Sequence, residues 1–338
     1  MVISMTVIRQ NRFATLGRYL FIGCCFTLAA TARVALADAW TFAIAGDDRT
    51  DLRSASPDPT GINTPVMQKL LPAIAAQKPR FLLFTGDLIC GENAHVPAGI
   101  AEQFSAWTNL VQAGAPGLTI LPIRGNHETH GDAAGSHWLA AFKPGLDRNH
   151  VSYLAGEEGF SYSYAAPDHP EVVVIALDQF MPGNEHRVNL AGLENALKQA
   201  RTNHVRHIFV CSHEMAFTCG GHPDADNMAA FPANRDKFLE LLKDYGCEYY
   251  FAGHDHDFDW MTIRHPNWPT NYVLNQIVAG TAGAPFYADK NYYGDHGGYD
   301  LTRLDHKEAT YGYLLVTIND DAKTNRAKAT VTFETVSP

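Results

Sequence analysis

The chain has 338 residues, 46% of them hydrophobic and 18% charged, which is the balance of a folded globular protein rather than a disordered one. There are 26 basic and 36 acidic residues, so the formal net charge is −10. An acidic chain lacks the basic surface that nucleic-acid binding requires, and we expect no nucleic-acid partner.

Residues 1–37 have the features of a cleavable secretory signal peptide. Arginines give a positive start, residues 19–30 are apolar, and residues 35–37 read Ala-Leu-Ala, a small-residue cleavage pattern. The apolar run is short for a membrane-spanning helix, so cleavage is favoured over an uncleaved anchor. We therefore predict an exported protein, periplasmic or secreted, in which residues 38–338 form a single domain with no stable membrane span. Its net charge would be −14, because four arginines leave and 26 − 4 = 22 basic residues remain against 36 acidic ones.

Four cysteines remain after cleavage, at positions 90, 211, 219 and 247. In an exported chain these residues are able to form up to two disulfides. Cys211 and Cys247 lie in or beside apolar segments, where a buried free thiol is the simpler expectation.

Short apolar segments alternate with helical patterns along most of the chain. Segments rich in β-branched and aromatic residues predict strands at 41–45, 81–85, 119–123, 172–177, 208–211 and 249–252. Apolar residues at helical spacing predict helices near 64–77, 100–113, 189–201 and 234–245, the last two with Asn189 and Asn234 as N-caps. Such alternation is typical of an α/β fold with a covered sheet.

The later part of the chain has a different pattern. Strands are predicted at 261–264, 272–278, 312–318 and 327–333 with no helices between them, which indicates a second sheet in the same domain. The connections at 53–63, 130–150, 218–231 and 286–307 are predicted to be long loops, and long loops in a compact domain are often functional.

Five of the predicted strands are followed directly by Asp, Asn or His. The segments are Gly46-Asp47, Gly86-Asp87, residues 124–128 (Arg-Gly-Asn-His-Glu), Ser212-His213 and residues 253–256 (Gly-His-Asp-His). Binding sites of α/β sheets form at the carboxyl ends of strands, and these side chains are common ligands of Zn, Mn and Fe. A single Gly-Asp after a strand is usually only a turn. Five such segments in order predict a metal site.

Together these segments resemble the calcineurin-like metallophosphoesterase superfamily, whose pattern is D-x-H, G-D, G-N-H-[DE], a single H and G-H-x-H. The resemblance extends from Asp47 to His256. It implies a four-layer α-β-β-α sandwich of two mixed sheets with a two-metal site at one end. There is also some likeness to the purple acid phosphatases.

The resemblance also implies a role for each residue of the motifs. Asp87 would bridge two metal ions, Asp47 and His256 would hold the first, and the second would be held by Asn126, His213 and His254. His127 would protonate or stabilise the leaving oxygen, and Glu128 and Asp255 would orient ligands. The ions would be divalent or trivalent Mn, Fe or Zn, and a water activated by both would attack a phosphate ester.

We therefore expect an exported metal-dependent phosphohydrolase with a small phosphorylated substrate, most simply a phosphomonoester. A phosphodiesterase or pyrophosphatase on the same site is the alternative. A catalytically impaired metal-binding protein is a further one, because Arg49 stands where the family has a metal-binding His and a guanidinium offers no lone pair. Three outcomes follow: the first metal takes a water or another side chain in place of the His, Arg49 contacts the substrate phosphate as a fork donor, or the first site is weak.

Two other residues depart from a simple match. Cys90 lies three residues after Asp87, where purple acid phosphatases have a metal-binding Tyr; it is expected to be a metal ligand, a packed thiol or the partner of Cys219 in a disulfide. Arg124 precedes the Gly-Asn-His-Glu motif as in protein Ser/Thr phosphatases, which implies a phosphate contact. The tyrosines at 287, 292, 293 and 299 are candidates for an aromatic rim around the site.

Overall fold

Two mixed β-sheets face each other and carry helices on their outer faces. The computed structural model describes residues 39–288, 293–321 and 326–337, so the predicted signal peptide lies outside the described residues. The helices are α1 (Thr64–Ala76), α2 (Ile100–Gly114), α3 (Ser136–Arg148), α4 (Leu190–Thr202) and α5 (Pro232–Asp244). Among the residues described, no helix has the length and apolarity needed to cross a membrane.

The strands are numbered in chain order. They are β1 (Trp40–Ala45), β2 (Phe81–Phe84), β3 (Thr119–Pro122), β4 (Ser152–Tyr153), β5 (Tyr162–Ala166), β6 (His169–Ala176), β7 (His207–Cys211), β8 (Tyr249–Ala252), β9 (Phe258–Arg264), β10 (Leu274–Ala279), β11 (Gly294–His296), β12 (Tyr299–Lys307), β13 (Gly312–Asp321) and β14 (Arg326–Thr335). The six early strands and four helices predicted from the sequence are all present, and their ends differ by three residues at most.

The first sheet has the order β14-β13-β1-β2-β3, and the second has the order β11-β12-β9-β10-β8-β7-β6-β5-β4. Strands β1, β2 and β3 run parallel to one another, as do β6, β7, β8 and β10. The carboxyl ends of these parallel strands therefore lie at one edge of each sheet, where a site is expected to form.

The apolar core between the sheets holds the two layers together. Phe42 of β1 stacks on Phe81 of β2 at 4.7 Å between ring centroids and meets Phe209 of β7, in the other sheet, edge-on at 5.2 Å. The helices α1, α2 and α3 cover the outer face of the first sheet, and α4 and α5 cover that of the second. This confirms the expected four-layer α-β-β-α architecture.

The prediction that all late strands belong to a second sheet is wrong for β13 and β14. Strand β13 pairs antiparallel with β1, from Trp40 opposite Ile318 to Ile44 opposite Leu314, and β14 continues that sheet. Alternate side chains of β13 face the core between the sheets, and β1 would otherwise have an unpaired edge. The second sheet instead contains β6, β7 and β8, which were predicted for the first part of the fold.

Helix α3 lies within the predicted loop 130–150. Trp138, Phe142 and Leu146 are buried at i, i+4 and i+8, a helical spacing that Pro144 conceals in the sequence. The Asp132 carboxylate accepts hydrogen bonds from the backbone N–H groups of His137 and Trp138, at 2.9 and 3.0 Å, and so satisfies the first turn. The predicted loop 286–307 likewise contains β11 and β12.

The two predicted N-caps have different outcomes. The Asn189 side chain accepts a hydrogen bond from the Gly192 backbone N–H at 2.9 Å, which confirms it as the cap of α4. Helix α5 starts earlier than predicted, with Phe231 at the N-cap position, so Asn234 does not cap it. The Asn234 amide instead exchanges two hydrogen bonds with the backbone of Val188 and joins the two helices' entry loops.

The core between the sheets supports a stability prediction. Phe42→Ala would leave a cavity between β1, β2 and β7, so we expect the free energy of unfolding to fall by about 3–5 kcal/mol. Equilibrium denaturation in urea measures the change. Leu304→Ala is the control, because that side chain is 54% exposed and its loss should change stability by at most about 0.5 kcal/mol. Equal effects of the two variants would contradict this description of the core.

Candidate metal centre

Five strand ends from both sheets bring their polar residues together. The first sheet contributes Asp47 after β1, Asp87 after β2, and Asn126 and His127 after β3; the second contributes His213 after β7, and His254 and His256 after β8. The structure therefore brings together all six predicted metal ligands and His127.

The Asp87 carboxylate lies at the centre of this group. Its Oδ1 atom is 3.4 Å from His213 Nε2 and accepts a hydrogen bond from the His127 backbone N–H at 3.1 Å. Its Oδ2 atom is 3.6 Å from Arg49 Nε and 3.8 Å from His127 Nε2. Asp87 thus faces residues from β1, β3 and β7, as a bridging ligand would.

Each histidine has one ring nitrogen held by a backbone carbonyl. Because a carbonyl only accepts hydrogen bonds, the nitrogen facing it must carry the proton. The donors are His213 Nδ1 to Thr85 O (2.7 Å), His254 Nε2 to Asp226 O (2.8 Å), His256 Nδ1 to Pro285 O (2.6 Å) and His127 Nδ1 to Cys90 O (2.9 Å). The second nitrogen of each neutral ring then presents a lone pair to the centre.

Burial keeps these rings neutral. Loss of solvation lowers the pKa of His213, and it lowers the pKa of His254 and of His256 well below the usual value. The three rings are therefore suited to bind a cation rather than to carry a charge themselves.

One set of donors surrounds His213 Nε2. Asn126 Oδ1 and His254 Nδ1 each lie 3.0 Å from it, and Asp87 Oδ1 lies 3.4 Å from it. All four atoms offer lone pairs, so they repel one another unless a cation lies among them. The donor set of two imidazoles, one amide and one carboxylate suits Zn, Mn or Fe.

A second set shares the Asp87 carboxylate. Ligand atoms of Asp47, Asp87 and His256 all lie within 4.8 Å of one another, and all three side chains are buried. His256 Nε2 is 3.6 Å from Asp47 Oδ1. Burial and then the neighbouring Asp87 carboxylate raise the pKa of Asp47 well above its usual value. These residues fit a second metal ion beside the first.

The backbone is strained where it presents the ligands. Asp47, Asp87 and His254 have φ angles of 63°, 54° and 73°, in the left-handed region that non-glycine residues avoid. Such strain costs about 1–3 kcal/mol per residue and is concentrated at functional sites. Gly125 and Gly253 permit the close approach, because a Cβ on either would lie 2.3 Å from a carboxylate oxygen of Asp87 or Asp47.

Glu128 holds the loops that carry the ligands. Its carboxylate accepts hydrogen bonds from the backbone N–H groups of Asp87 (3.0 Å), Gly125 (2.6 Å) and Ile89 (3.2 Å). Burial and the nearby Asp87 carboxylate raise the pKa of Glu128 to about 8. Glu128 therefore joins the loop after β2 to the loop after β3, in agreement with its expected orienting role.

His222 is a site residue that sequence reasoning missed. Its ring stacks on His254, with centroids 3.7 Å apart and planes 15° apart. The Asp255 carboxylate accepts a hydrogen bond from the His222 backbone N–H at 2.9 Å and lies 3.1 Å from the Nδ1 atom of His222. Asp255 therefore orients His222, which in turn stacks on the predicted ligand His254. The available signal was its position in the long loop 218–231, but it belongs to no motif.

Only part of the expected aromatic rim lies at the site. Tyr287 stacks on His256, with ring centroids 4.2 Å apart. The Tyr293 hydroxyl instead donates to Asp259 at 2.5 Å, and Tyr299 packs in the core beside Phe217. Tyr292 lies outside the described residues.

Arg124 differs from its expected role as a phosphate contact. Its side chain is 0% exposed and binds Asp178 with two hydrogen bonds, Nε to Oδ2 at 2.8 Å and Nη2 to Oδ1 at 3.0 Å. The guanidinium also lies over the Phe160 ring at 4.4 Å. Arg124 follows β3 and Asp178 follows β6, so this pair connects the two sheets below the metal ligands instead of facing a substrate.

Cys90 is a packed thiol rather than a ligand or half of a disulfide. All four cysteines at 90, 211, 219 and 247 are free and buried. Cys90 Sγ lies 3.3 Å from Gly91 O and 3.5 Å from Gln103 Oε1, and burial raises the pKa of the thiol to about 11. Cys219 Sγ instead contacts the carboxylates of Asp255 and Asp257.

Arg49 lies inside the group of ligands. Its side chain is 9% exposed, and its Nε atom is buried without a hydrogen-bond partner among the described residues. The Asp87 carboxylate is 3.6 Å away, too distant for a hydrogen bond. A guanidinium in this state is suited to receive an anion that enters the site.

The model of the calcineurin-like phosphoesterase family matches residues 59–258, which is more than half of the chain. The chain belongs to this family. The matched residues therefore form a calcineurin-like phosphoesterase domain. The matched range includes every predicted metal ligand except Asp47. Asp47 and Arg49 precede the first matched residue.

Solved structures of this calcineurin-like phosphoesterase fold include three that the chain resembles. A purple acid phosphatase from yellow lupin (Lupinus luteus) seeds has a TM-score of 0.59 and 14% identity, with 82% of this chain and 49% of that chain covered. PhoD has a TM-score of 0.54 and 12% identity, with 88% and 72% covered. GAP50, the anchor in the inner membrane complex of Plasmodium, has a TM-score of 0.51 and 14% identity, with 88% and 84% covered.

At these identities the likeness concerns the fold alone. The chain spans about half the length of the purple acid phosphatase. A comparison with curated protein sequences finds no match.

The buried Arg124–Asp178 pair supports a prediction. Asp178→Ala would leave the Arg124 charge buried and unpaired, so we expect a loss of about 3–5 kcal/mol in the free energy of unfolding. Removing both charges, with Arg124→Met and Asp178→Leu together, should cost less than Asp178→Ala alone. Asp147→Ala is the control, because the Lys143–Asp147 pair is partly exposed and worth at most about 1 kcal/mol. Denaturation in urea measures all three, and a small effect of Asp178→Ala would contradict the structural role of the pair.

Proposed function

We propose that this phosphoesterase is an exported, two-metal phosphomonoesterase. The observation that carries the proposal is the set of histidines anchored on backbone carbonyls. The second ring nitrogen of His213 lies 3.4 Å from Asp87 Oδ1, that of His254 lies 3.0 Å from His213 Nε2, and that of His256 lies 3.6 Å from Asp47 Oδ1. Such fixed tautomers suit metal ligation and have no evident use in a sandwich that only needs to fold.

The proposed ligand sets follow the two groups of donors. Asp47 and His256 would hold the first ion, Asn126, His213 and His254 the second, and Asp87 would bridge both. When bound, the metal pair would polarise the phosphate oxygens and activate the attacking water.

The charge of Arg49 supports a monoester over a diester. A phosphomonoester carries more negative charge near neutral pH than a diester of the same phosphate. The buried Arg49 guanidinium has an N–H donor without a partner and lies beside Asp87. There it would pair with a phosphate oxygen and neutralise part of the negative charge. Arg124 is less suited to this role, because its charge is paired with Asp178 at 2.8 Å and its side chain is 0% exposed.

His127 is the proposed acid for the leaving oxygen. Its Nδ1–H donates to the Cys90 carbonyl, which directs Nε2 toward the centre, and its side chain is 12% exposed. Burial lowers the pKa of His127 to about 4, despite the opposing effect of Asp87. A bound phosphate anion would favour protonation at Nε2, and that proton would pass to the leaving oxygen.

Activity tests the substrate class. We expect the purified protein to hydrolyse p-nitrophenyl phosphate in the presence of Mn²⁺, Zn²⁺ or Fe, and to hydrolyse bis(p-nitrophenyl) phosphate more slowly. A faster diester reaction would favour a phosphodiesterase. A folded, metal-loaded protein that hydrolyses neither would contradict the phosphomonoesterase proposal and favour a metal-binding role.

Two substitutions separate metal binding from proton transfer. His127→Ala should keep the bound metal but reduce kcat by about 10²–10⁴-fold, the usual contribution of a positioned acid. Asp87→Ala should lose metal, as measured by elemental analysis of the purified protein. His130→Ala is the matched control, because His130 is an exposed histidine whose ring lies 4.8 Å from that of His127. Unchanged turnover in His127→Ala would remove His127 from the catalytic role.

Export is tested by the N-terminus of the product. Expression of the full chain in a Gram-negative host should yield a periplasmic protein that begins at Asp38, because residues 35–37 form the cleavage pattern. N-terminal sequencing and intact mass determine the start. A variant with Ala37→Arg should accumulate uncleaved. A cell-retained protein of full length in both cases would contradict the proposed export.

A further inference from the structure

We propose that Arg49 makes the two metal positions unequal, so that the first position binds its ion weakly until a phosphate anion is present. This inference rests on the proposed two-metal function. It concerns the position held by Asp47 and His256, with Asp87 shared.

The two positions differ in the number of protein ligands. The second position has four protein ligands, Asn126, His213, His254 and Asp87. The ligand atoms of the other three lie 3.0–3.4 Å from His213 Nε2. At the first, three residues converge: Asp47, Asp87 and His256. Zn²⁺ and similar ions take at least four ligands, so the first position must complete its shell from outside this set.

A fixed positive charge lies on one side of the shared carboxylate. Arg49 Nε lies 3.6 Å from Oδ2 of Asp87, whereas His213 approaches Oδ1 of the same carboxylate. Because its side chain is 9% exposed, solvent screens the guanidinium poorly. The charge of Arg49 therefore opposes an ion at the first position more strongly than one at the second.

Cys90 does not compensate for the missing ligand. Its Sγ atom contacts Gly91 O and Gln103 Oε1 instead of the carboxylates. A buried thiol whose pKa is raised to about 11 also remains protonated near neutral pH, and a protonated thiol is a poor ligand.

A phosphate anion would reverse the effect of Arg49. Bound between the guanidinium and the first position, it neutralises Arg49 and supplies an oxygen ligand where the protein supplies none. Bound phosphate then raises the affinity for the ion at the first position, and that ion raises the affinity for phosphate by the same factor, because such coupling is reciprocal. The first ion would thus be held mainly when the phosphoryl group is in place.

Titration calorimetry with Zn²⁺ and Mn²⁺ on metal-stripped protein tests the proposal, with elemental analysis after gel filtration. We expect one tight and one weak equivalent, with dissociation constants at least about tenfold apart. Inorganic phosphate should tighten the weak equivalent by about 5- to 150-fold. His256→Ala should remove the weak equivalent and keep the tight one.

Three variants separate charge from ligand number. Arg49→His supplies a lone pair and removes the charge, so it should convert the weak equivalent to a tight one. Arg49→Met removes only the charge; it should tighten the weak equivalent less than Arg49→His does and reduce its response to phosphate, because phosphate then acts only as an oxygen ligand. Arg53→His is the control, because Arg53 is an exposed residue of the same loop that pairs with Asp51, and its loss should leave both equivalents unchanged.

Two equally tight equivalents in the unaltered protein would overturn the inference while leaving the two-metal function intact. A weak equivalent of the unaltered protein that does not respond to phosphate would also overturn the inference. This measurement needs no variant, so it remains decisive if a variant fails to fold. Absence of any metal binding by the folded protein would overturn the proposed function itself. The outcomes are therefore distinguishable.

Discussion

The arrangement around Asp87 depends on one constraint: several buried groups that offer lone pairs must face a single carboxylate at close range. His213, His254 and His256 are each held by a backbone carbonyl, which fixes the tautomer before any ion binds. Without a cation, this collection of acceptors is repulsive and poorly solvated. The fold therefore maintains a geometry that a bound metal would relieve, and the packed core between the sheets supports it.

This constraint accounts for features that otherwise look unfavourable. Three ligands have backbone conformations that non-glycine residues avoid, and the glycines beside them leave no space for a side chain. Glu128 accepts three backbone hydrogen bonds from two loops and so ties the end of β2 to the end of β3. The stability of the packed sheets offsets the strain that is concentrated at their edge.

The two arginines of the motifs illustrate how local context decides the use of one chemical group. Arg124 has a bidentate carboxylate partner and connects β3 to β6, so it stabilises the framework. Arg49 has no such partner and lies at 3.6 Å from Asp87, so its charge acts on the site. Both stand in a ligand-bearing segment that follows a strand, and nothing in the motifs alone distinguishes the two roles.

The sequence by itself determined the order of strands and helices and the polar residues that follow the strands, because apolar segments that end in Gly-Asp, Gly-Asn-His-Glu or Gly-His-Asp-His and helices with apolar spacing are local signals. The four-layer sandwich and the set of residues that meet at the site were implied by the family resemblance that those motifs carry. Tertiary structure alone decided that β13 pairs with β1, that Arg124 is buried against Asp178, and that His222 stacks on His254. Each of these contacts joins residues at least 32 positions apart, and pairing over such distances depends on which surfaces the packed layers leave to be covered. Cys90 is free for the same reason, because the fold places its thiol against Gln103 and places Cys219 against Asp255.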